Sequence, residues 1–257
     1  MKNLKVDLDS FKINVEKKVK VRDLLIDIPI KYKCEAINAL FTISSKTAAE
    51  IIGTKKLKPL VLLPGRSLMC ITILNFYDTP VGRFTELTFS LIVGHATKFN
   101  IPFISFPIKY VTKKFGFIPI SVAQSTDLAI EHGNIITGYP HYKQLTVANF
   151  AKTDKFIEVD AYSNNEWILK FKIKKPLKEK VKYEYHTTYS LKDMKVSKIK
   201  LETFGVFGDS KAVEFKLGDQ ELSKLLKNLK ISKKPLYTRY YRDTLKIIGS
   251  PKYLEDL

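Results

Sequence analysis

Apolar and polar residues alternate along much of this chain, and the alternation predicts β-strands. Residues 156–162, 167–173 and 182–189 place an apolar side chain at roughly every second position. Residues 67–77 are rich in β-branched and aromatic side chains, and residues 84–93 alternate first and then become fully apolar. Gly, Pro and Asn-containing turns separate these runs. The pattern predicts a mainly β protein.

Helical patterns are few. Residues 46–52 form a predicted helix, which Ser44 or Ser45 can cap and Gly53 can end. A second predicted helix covers residues 220–230, with Asp219 as its cap and four leucines on one face. A third is possible at residues 113–117. We therefore expect a few helices at the periphery of a β structure.

The organisation of the chain favours one domain. There is no internal repeat, and the charged run at residues 174–182 is the one plausible linker. The strands on its two sides have similar composition, and all-β domains often reach this length. We predict a single domain over residues 1–257.

The charge balance leaves the prediction of a globular β protein unchanged. The chain carries 44 Lys plus Arg against 26 Asp plus Glu, a formal net charge of +18. Nearly all the cations are lysines spread along the chain, whereas proteins that read nucleic acids favour arginine for bidentate contacts. The composition is 45% hydrophobic, which excludes a wholly disordered chain. A nucleic-acid-associated protein is thus the least favoured of the alternatives.

The two cysteines, Cys34 and Cys70, cannot form a disulfide framework and lack metal-ligand spacing. Residues 1–20 contain no apolar core of a secretory signal, and no apolar run approaches the ~18 residues of a membrane span. We expect a cytoplasmic protein with no membrane partner. His95, His132 and His186 show no paired metal spacing, and signatures of nucleotide-binding loops and triad hydrolases are absent from the sequence. We predict neither a metal nor a cofactor.

Two segments carry candidate chemistry. Glu86 interrupts an apolar strand and shares a face with Phe84, so it is either a solvent-facing carboxylate or an acid–base group in an apolar cavity. The run GYPHYK at 138–143 breaks a strand and places His141 and Lys143 on one face if extended. A histidine there can transfer protons, and a lysine forced into an apolar cavity can become a nucleophile, although an exposed loop is the simpler interpretation.

These segments together resemble the acetoacetate decarboxylase superfamily. The run GRFTE at 82–86 resembles the family's G-x-Y-x-E segment, and HGNIITGYPHY at 132–142 resembles its G-R-E-x-x-G-Y-P-K-K segment. Further similarity lies in LFTISSKTAAEII at 40–52, LKPLVLLP at 57–64, ITILNFYDT at 71–79 and LKIIGSPKYLE at 245–255. The resemblance spans nearly the whole chain. It implies a closed, mostly antiparallel β-barrel or cone around a ligand cavity, usually in homo-oligomers.

The chain departs from the family at the catalytic position. In the family a lysine after Tyr-Pro forms a Schiff base with a keto acid, and the next lysine lowers its pKa. Here the corresponding positions hold His141 and Tyr142. An imidazole does not replace a primary amine in imine formation. We therefore expect standard Schiff-base decarboxylation to be absent unless Lys143 reaches the cavity.

The resemblance and the residues lead to one main hypothesis. The protein acts on a small keto or related carboxylic acid, with Glu86, His141 and Lys143 as catalytic residues. Substrate contacts are assigned to Arg83, Tyr139 and Tyr142. The alternative is a non-catalytic protein that binds a small ligand in the same cavity.

Overall fold

The computed structural model describes residues 4, 6–95, 99–112, 114–139, 142–144, 147–192 and 195–254, without the side chains of Tyr142 and Lys192. The strands are β1 (Lys17–Val21), β2 (Leu24–Ile28), β3 (Ile30–Ser44), β4 (Leu57–Pro59), β5 (Val61–Leu63), β6 (Arg66–Asp78), β7 (Phe84–His95), β8 (Gly116–Gln124), β9 (Tyr142–Gln144), β10 (Val147–Lys152), β11 (Phe156–Ser163), β12 (Glu166–Lys174), β13 (Lys180–Lys192), β14 (Lys195–Ser210), β15 (Ala212–Leu217), β16 (Tyr237–Ile248) and β17 (Lys252–Tyr253). The helices are α1 (Ser45–Ile52), α2 (Ser105–Val111), α3 (Asp127–Ile136) and α4 (Glu221–Asn228).

Seven long strands close into a barrel, in the order β7-β6-β3-β16-β14-β13-β8, with β8 pairing back to β7. These pairings are antiparallel, apart from a short parallel contact between β8 and β13 at Phe117 and Thr188. A closed barrel leaves the long strands without free edges, so their backbone groups bond to each other. The prediction of a mainly β, closed, mostly antiparallel barrel is confirmed.

A four-stranded sheet, β10-β11-β12-β15, covers part of the outer surface of the barrel. Phe41 of β3 is fully buried there and packs on Phe215 of β15, with ring centroids 4.6 Å apart. Glu35, also on the outer face, accepts hydrogen bonds from Tyr240 and from Lys152 Nζ at 2.7 Å. Because the barrel strands are buried on both faces here, they read as long apolar runs.

The two main helix predictions are confirmed. Ser44 caps α1 by accepting from the Thr47 N–H, and Gly53 ends it at a φ of 63°. Helix α4 starts one residue later than predicted, and its cap is Gln220, not Asp219.

The possible helix at residues 113–117 is wrong: α2 ends at Val111, and β8 starts at Gly116. Helix α3 was not predicted. Its residues Ala129 and Ile136 pack with Tyr32, Phe76 and Phe84 of the barrel interior. The helix therefore closes one end of the barrel.

Cys34 and Cys70 are buried free thiols, and burial raises the pKa of each. In the part of the chain that the structure describes, none of the helices has the length and apolar character needed to cross a membrane.

Candidate functional site: the barrel cavity

The inward-facing side chains of the barrel and the face of α3 enclose a cavity of about 140 Å³. That is the size of a site which holds a ligand of about six heavy atoms. Aromatic and aliphatic side chains form most of the wall, among them Phe76, Phe84 and Leu201. A smaller set of polar groups points into it, which is the usual composition of a small-molecule site.

Glu86 is the central acidic group of this cavity. Its Oε1 accepts a hydrogen bond from the Thr88 hydroxyl at 2.7 Å, and its Oε2 accepts one from the Gln124 amide at 2.7 Å. The neighbours Thr85 and Leu87 face outward, towards β10 and the outer core. Of the two interpretations of the sequence, the structure therefore places Glu86 in the cavity. Each carboxylate oxygen retains lone pairs for a ligand.

Lys246 on β16 also lines the cavity, and sequence reasoning missed it. Its register partners are Tyr32 of β3 and Thr203 of β14. No hydrogen bond or ion pair to Lys246 Nζ is formed by any residue that the structure describes. The signal in the sequence was a lone lysine in an apolar strand, Leu245 to Ile248, with both faces buried.

A β-bulge in β16 directs Lys246 inward. Before the bulge, the residues of β16 that face inward are odd-numbered, including Arg239 and Tyr241. Between Tyr241 and Thr244 the register against β3 shifts by one residue. After it the inward-facing residues are even-numbered, Lys246 and Ile248. Without the extra residue, Lys246 would lie on the outer face.

Glu86 and Lys246 act on a common neighbour. Burial raises the pKa of the Cys34 thiol, while the charge of Lys246 lowers it and the charge of Glu86 raises it. Both charges are therefore within electrostatic range of one buried group. Among the described residues, Glu86 and Lys246 form no ion pair with each other. An anion and a cation face one small cavity without neutralising each other.

Hydroxyl groups complete the polar set. Tyr139 OH and Thr188 Oγ1 are 2.7 Å apart, and Tyr32 OH lies 3.2 Å from His132 Nε2. Burial raises the pKa of both tyrosines, and the Glu86 charge raises them further. Burial lowers the pKa of His132 to about 4. At neutral pH the cavity thus presents protonated phenols and a neutral imidazole.

Two buried acceptors at this site lack a partner among the described residues, Gln124 Oε1 and Asn38 Oδ1. Gln124 is 4% exposed, and its Oε1 accepts no hydrogen bond from any described residue. Its amide nitrogen is fixed by Glu86, so the carbonyl cannot exchange places with it. A buried carbonyl without a donor costs about 1–3 kcal/mol. A ligand with an N–H or O–H group would satisfy this oxygen.

The other predicted site residues have different positions. Tyr139 lines the cavity. Arg83 is exposed, and its Nε donates to the Tyr77 carbonyl at 3.2 Å. Lys143 lies outside the barrel, where its Nζ is 2.5 Å from Glu221 Oε1 of α4.

His141 lies outside the described residues, and so does the side chain of Tyr142. Their assigned roles, and the expectation that Glu86 and His141 share a cavity, stay predictions. Lys143 is not among the residues that line the Glu86 cavity. Within the described ranges, no cluster of three His, Cys, Asp or Glu side chains is arranged to hold a metal ion.

No protein-family model matches this sequence, and the comparison with curated proteins found no match. Its structure is similar to acetoacetate decarboxylase from Legionella pneumophila, at 12% identity and a TM-score of 0.61 over 98% of each chain. It is also similar to an acetoacetate decarboxylase-like enzyme from Sphingomonas wittichii RW1, at 10% identity and a TM-score of 0.56 over 89% of this chain and 93% of that one.

A third similar structure is the enduracididine biosynthesis enzyme MppR in complex with pyruvate, at 9% identity and a TM-score of 0.59 over 89% and 91% of the two chains. Similarities at 9–12% identity show the fold alone. The chain has the acetoacetate decarboxylase-like fold, as the resemblance in its motifs predicted.

Proposed function

We propose that this protein is an enzyme that binds a small keto acid in the barrel cavity and moves a proton at the carbon next to its carbonyl group. The observation that carries the proposal is that Glu86 and Lys246 line one cavity of about 140 Å³ without forming an ion pair with each other. A keto acid supplies a carboxylate for the cation and an acidic C–H bond for the anion. The complex of MppR with pyruvate, a protein of similar fold, supports this substrate class.

The residues divide the work as follows. Lys246 binds the substrate carboxylate by a charge-assisted hydrogen bond, which fixes the orientation of the ligand. The Glu86 carboxylate accepts the proton from the carbon beside the carbonyl, and the C–H electron pair becomes the double bond of an enolate. The carbonyl oxygen takes up the negative charge. The protonated Tyr139 hydroxyl, which is positioned by its hydrogen bond with Thr188 Oγ1, donates to that oxygen.

This chemistry does not require an imine. The motif resemblance implies that His141 stands at the position of the Schiff-base lysine, and Lys143 binds Glu221 outside the barrel. Lys246 is a primary amine in the cavity, so imine formation there is the competing mechanism. The two mechanisms differ in whether borohydride traps the substrate on the protein.

Proton transfer is measured by the exchange of pyruvate methyl protons in D₂O, followed by proton NMR. We expect the wild-type protein to accelerate exchange and Glu86→Gln to lose about 100-fold or more of that rate, the usual contribution of a general base. Glu158→Gln is the matched control, because Glu158 is an outer carboxylate bound to Lys172. Equal rates for wild type and Glu86→Gln would refute the role of Glu86.

Lys246 is tested by a parallel pair of variants. Lys246→Gln should raise KM for pyruvate about tenfold or more, whereas Lys143→Gln should leave it unchanged. Incubation with pyruvate and borohydride should give no mass adduct on the wild-type protein. An adduct that disappears in Lys246→Gln would replace the proposed mechanism with an imine on Lys246.

The non-catalytic alternative has its own signature. Pyruvate would bind to the wild-type protein and lose affinity in Lys246→Gln, but its methyl protons would exchange no faster than in buffer. That result would make the cavity a ligand-binding site without catalysis.

A further inference from the structure

A second chamber continues from the barrel cavity towards the surface. It encloses about 470 Å³ and lies beside α2. Five residues line both spaces and form the junction between them: Asn38, Cys70, Phe117, His186 and Tyr241. The space around Glu86 and Lys246 is therefore the inner end of a larger, elongated site. A ligand that fills only the inner cavity leaves the outer chamber empty.

Aromatic rings form one continuous wall of the second chamber. Tyr110 and Phe115 stack with centroids 5.9 Å apart, and Phe115 meets Phe117 edge-on at 5.8 Å. Phe117 in turn meets His186 edge-on at 5.7 Å. The wall thus runs from α2 at the surface to the junction with the inner cavity.

The aromatic side chains of this wall are less buried than those of a protein core. Tyr110 is 60% exposed, and Phe106, Phe115 and Phe117 are only partly buried. Large apolar rings left open to a chamber gain free energy when another apolar surface covers them. Stacked and edge-on contacts between rings add to that gain.

Gly116 makes the wall possible. A Cβ at this position would lie 2.5 Å from the Tyr189 ring and 2.8 Å from the Thr187 carbonyl oxygen. Since glycine has no side chain, β8 can approach β13 closely at the point where Phe115 and Phe117 flank it. A larger residue at position 116, between the two rings, would clash with β13.

The opposite wall is polar but carries paired charges. Arg239 contacts Glu184 at 2.6 Å and Asp209 at 2.9 Å, so its guanidinium is occupied by two carboxylates. The contacts from His186 and Arg239 outweigh the effect of burial and lower the pKa of Glu184. Contacts from Tyr237 and Arg239 likewise outweigh burial and lower the pKa of Asp209. Two ionised carboxylates for one arginine make this wall unfavourable for an anion.

We propose that the second chamber binds a neutral aromatic ring, and that the substrate is a keto acid carrying such a ring on the end remote from its carboxylate. This inference rests on the proposed function for the keto-acid end alone. The ring stacks on the wall of Phe115 and Phe117, while the keto acid reaches Glu86 and Lys246 through the junction. Ring recognition makes the outer chamber the specificity-determining part of the site.

The test compares four probes by isothermal titration with the wild-type protein: pyruvate, 2-oxo-4-phenylbutanoate, its para-carboxylate derivative and 3-phenylpropanol. We expect the phenyl keto acid to bind at least tenfold tighter than pyruvate, and the para-carboxylate derivative to lose that advantage. The phenyl alcohol, which lacks the keto acid, should bind weakly. A phenyl keto acid that binds no tighter than pyruvate overturns the inference.

Two variants localise the ring. Phe115→Ala should remove the advantage of the phenyl keto acid and the binding of the phenyl alcohol, while Phe99→Ala should change neither. Phe99 is the matched control because it is 78% exposed and lines neither chamber. A circular dichroism spectrum equal to that of the wild type shows that Phe115→Ala is folded.

The outcomes separate the two proposals. If the phenyl alcohol binds and depends on Phe115 while pyruvate does not bind, the chamber inference stands and the proposed function fails. If pyruvate binds and exchanges but Phe115→Ala leaves the affinity for both phenyl probes unchanged, the chamber inference alone fails.

Discussion

Replacing Gly205 by alanine should destabilise the barrel beside the β-bulge in β16. Gly205 of β14 pairs with Thr244 of β16, immediately next to the bulge. A Cβ at Gly205 would lie 2.2 Å from the Asp243 carbonyl oxygen and 2.7 Å from the Thr244 Cα. Both obstacles are backbone atoms, which cannot move aside like the end of a flexible side chain. The φ of 149° is also one that residues other than glycine rarely adopt.

The magnitude follows from two costs. A residue held in a sparsely populated backbone conformation costs about 1–3 kcal/mol, and forcing extra volume into a packed site costs a similar amount. We expect Gly205→Ala to lower the free energy of unfolding by about 3 kcal/mol or more. For a chain of this size the free energy of unfolding falls by ~3 kcal/mol per molar urea, so the midpoint of urea unfolding should fall by about 1 M.

Urea unfolding followed by circular dichroism measures this shift. Gly249→Ala is the matched control, since a Cβ there would meet nothing closer than 3.5 Å and the φ is not positive. The control midpoint should stay within about 0.2 M of the wild type. Gly205→Ala should also catalyse the exchange of pyruvate methyl protons in D₂O more slowly than the wild type, because the bulge directs Lys246 into the cavity. Equal urea midpoints for Gly205→Ala and Gly249→Ala would show that the backbone around Gly205 accommodates a Cβ, contrary to the prediction.

Three further predictions follow from buried groups. Burial gives His132 a folded-state pKa of about 4, below its unfolded value of about 6.5. Its contribution to the free energy of unfolding should therefore fall by on the order of 3 kcal/mol as the pH drops from about 6.5 to about 4. In urea titrations at pH 7.5 and 4.5 the wild type should lose more stability between the two pH values than His132→Gln, and equal losses would contradict the prediction. Cys34 and Cys70 are buried thiols with raised pKa values, so a thiol reagent should label them far more slowly in the native protein than in urea, as read by absorbance. Phe41→Ala should cost about 3–5 kcal/mol by opening a cavity against Phe215, and a loss below about 1 kcal/mol would exclude tight packing there.

The sequence determined the elements whose signals are local. Alternation and β-branched composition predicted the strands, because a half-buried strand repeats every two residues whatever it packs against. Helix α1 was predictable to within a residue or two, since Ser44 and Gly53 act on their own backbone neighbours. The face of Glu86 could be stated relative to Phe84, but whether that face met solvent or a cavity could not.

The composition of the site depends on contacts between elements that are distant in the sequence. Helix α3 closes the barrel end and supplies His132, although its weak apolar pattern predicted no helix. Lys143 and Lys246 both lie in strands of the structure, β9 and β16, and nothing in their local sequence distinguishes the two lysines. Lys143 pairs with Glu221 outside the barrel, whereas Lys246 enters the cavity because one extra residue in β16 reverses the alternation. A bulge depends on the neighbouring strands β3 and β14, so the sequence of β16 alone does not contain it.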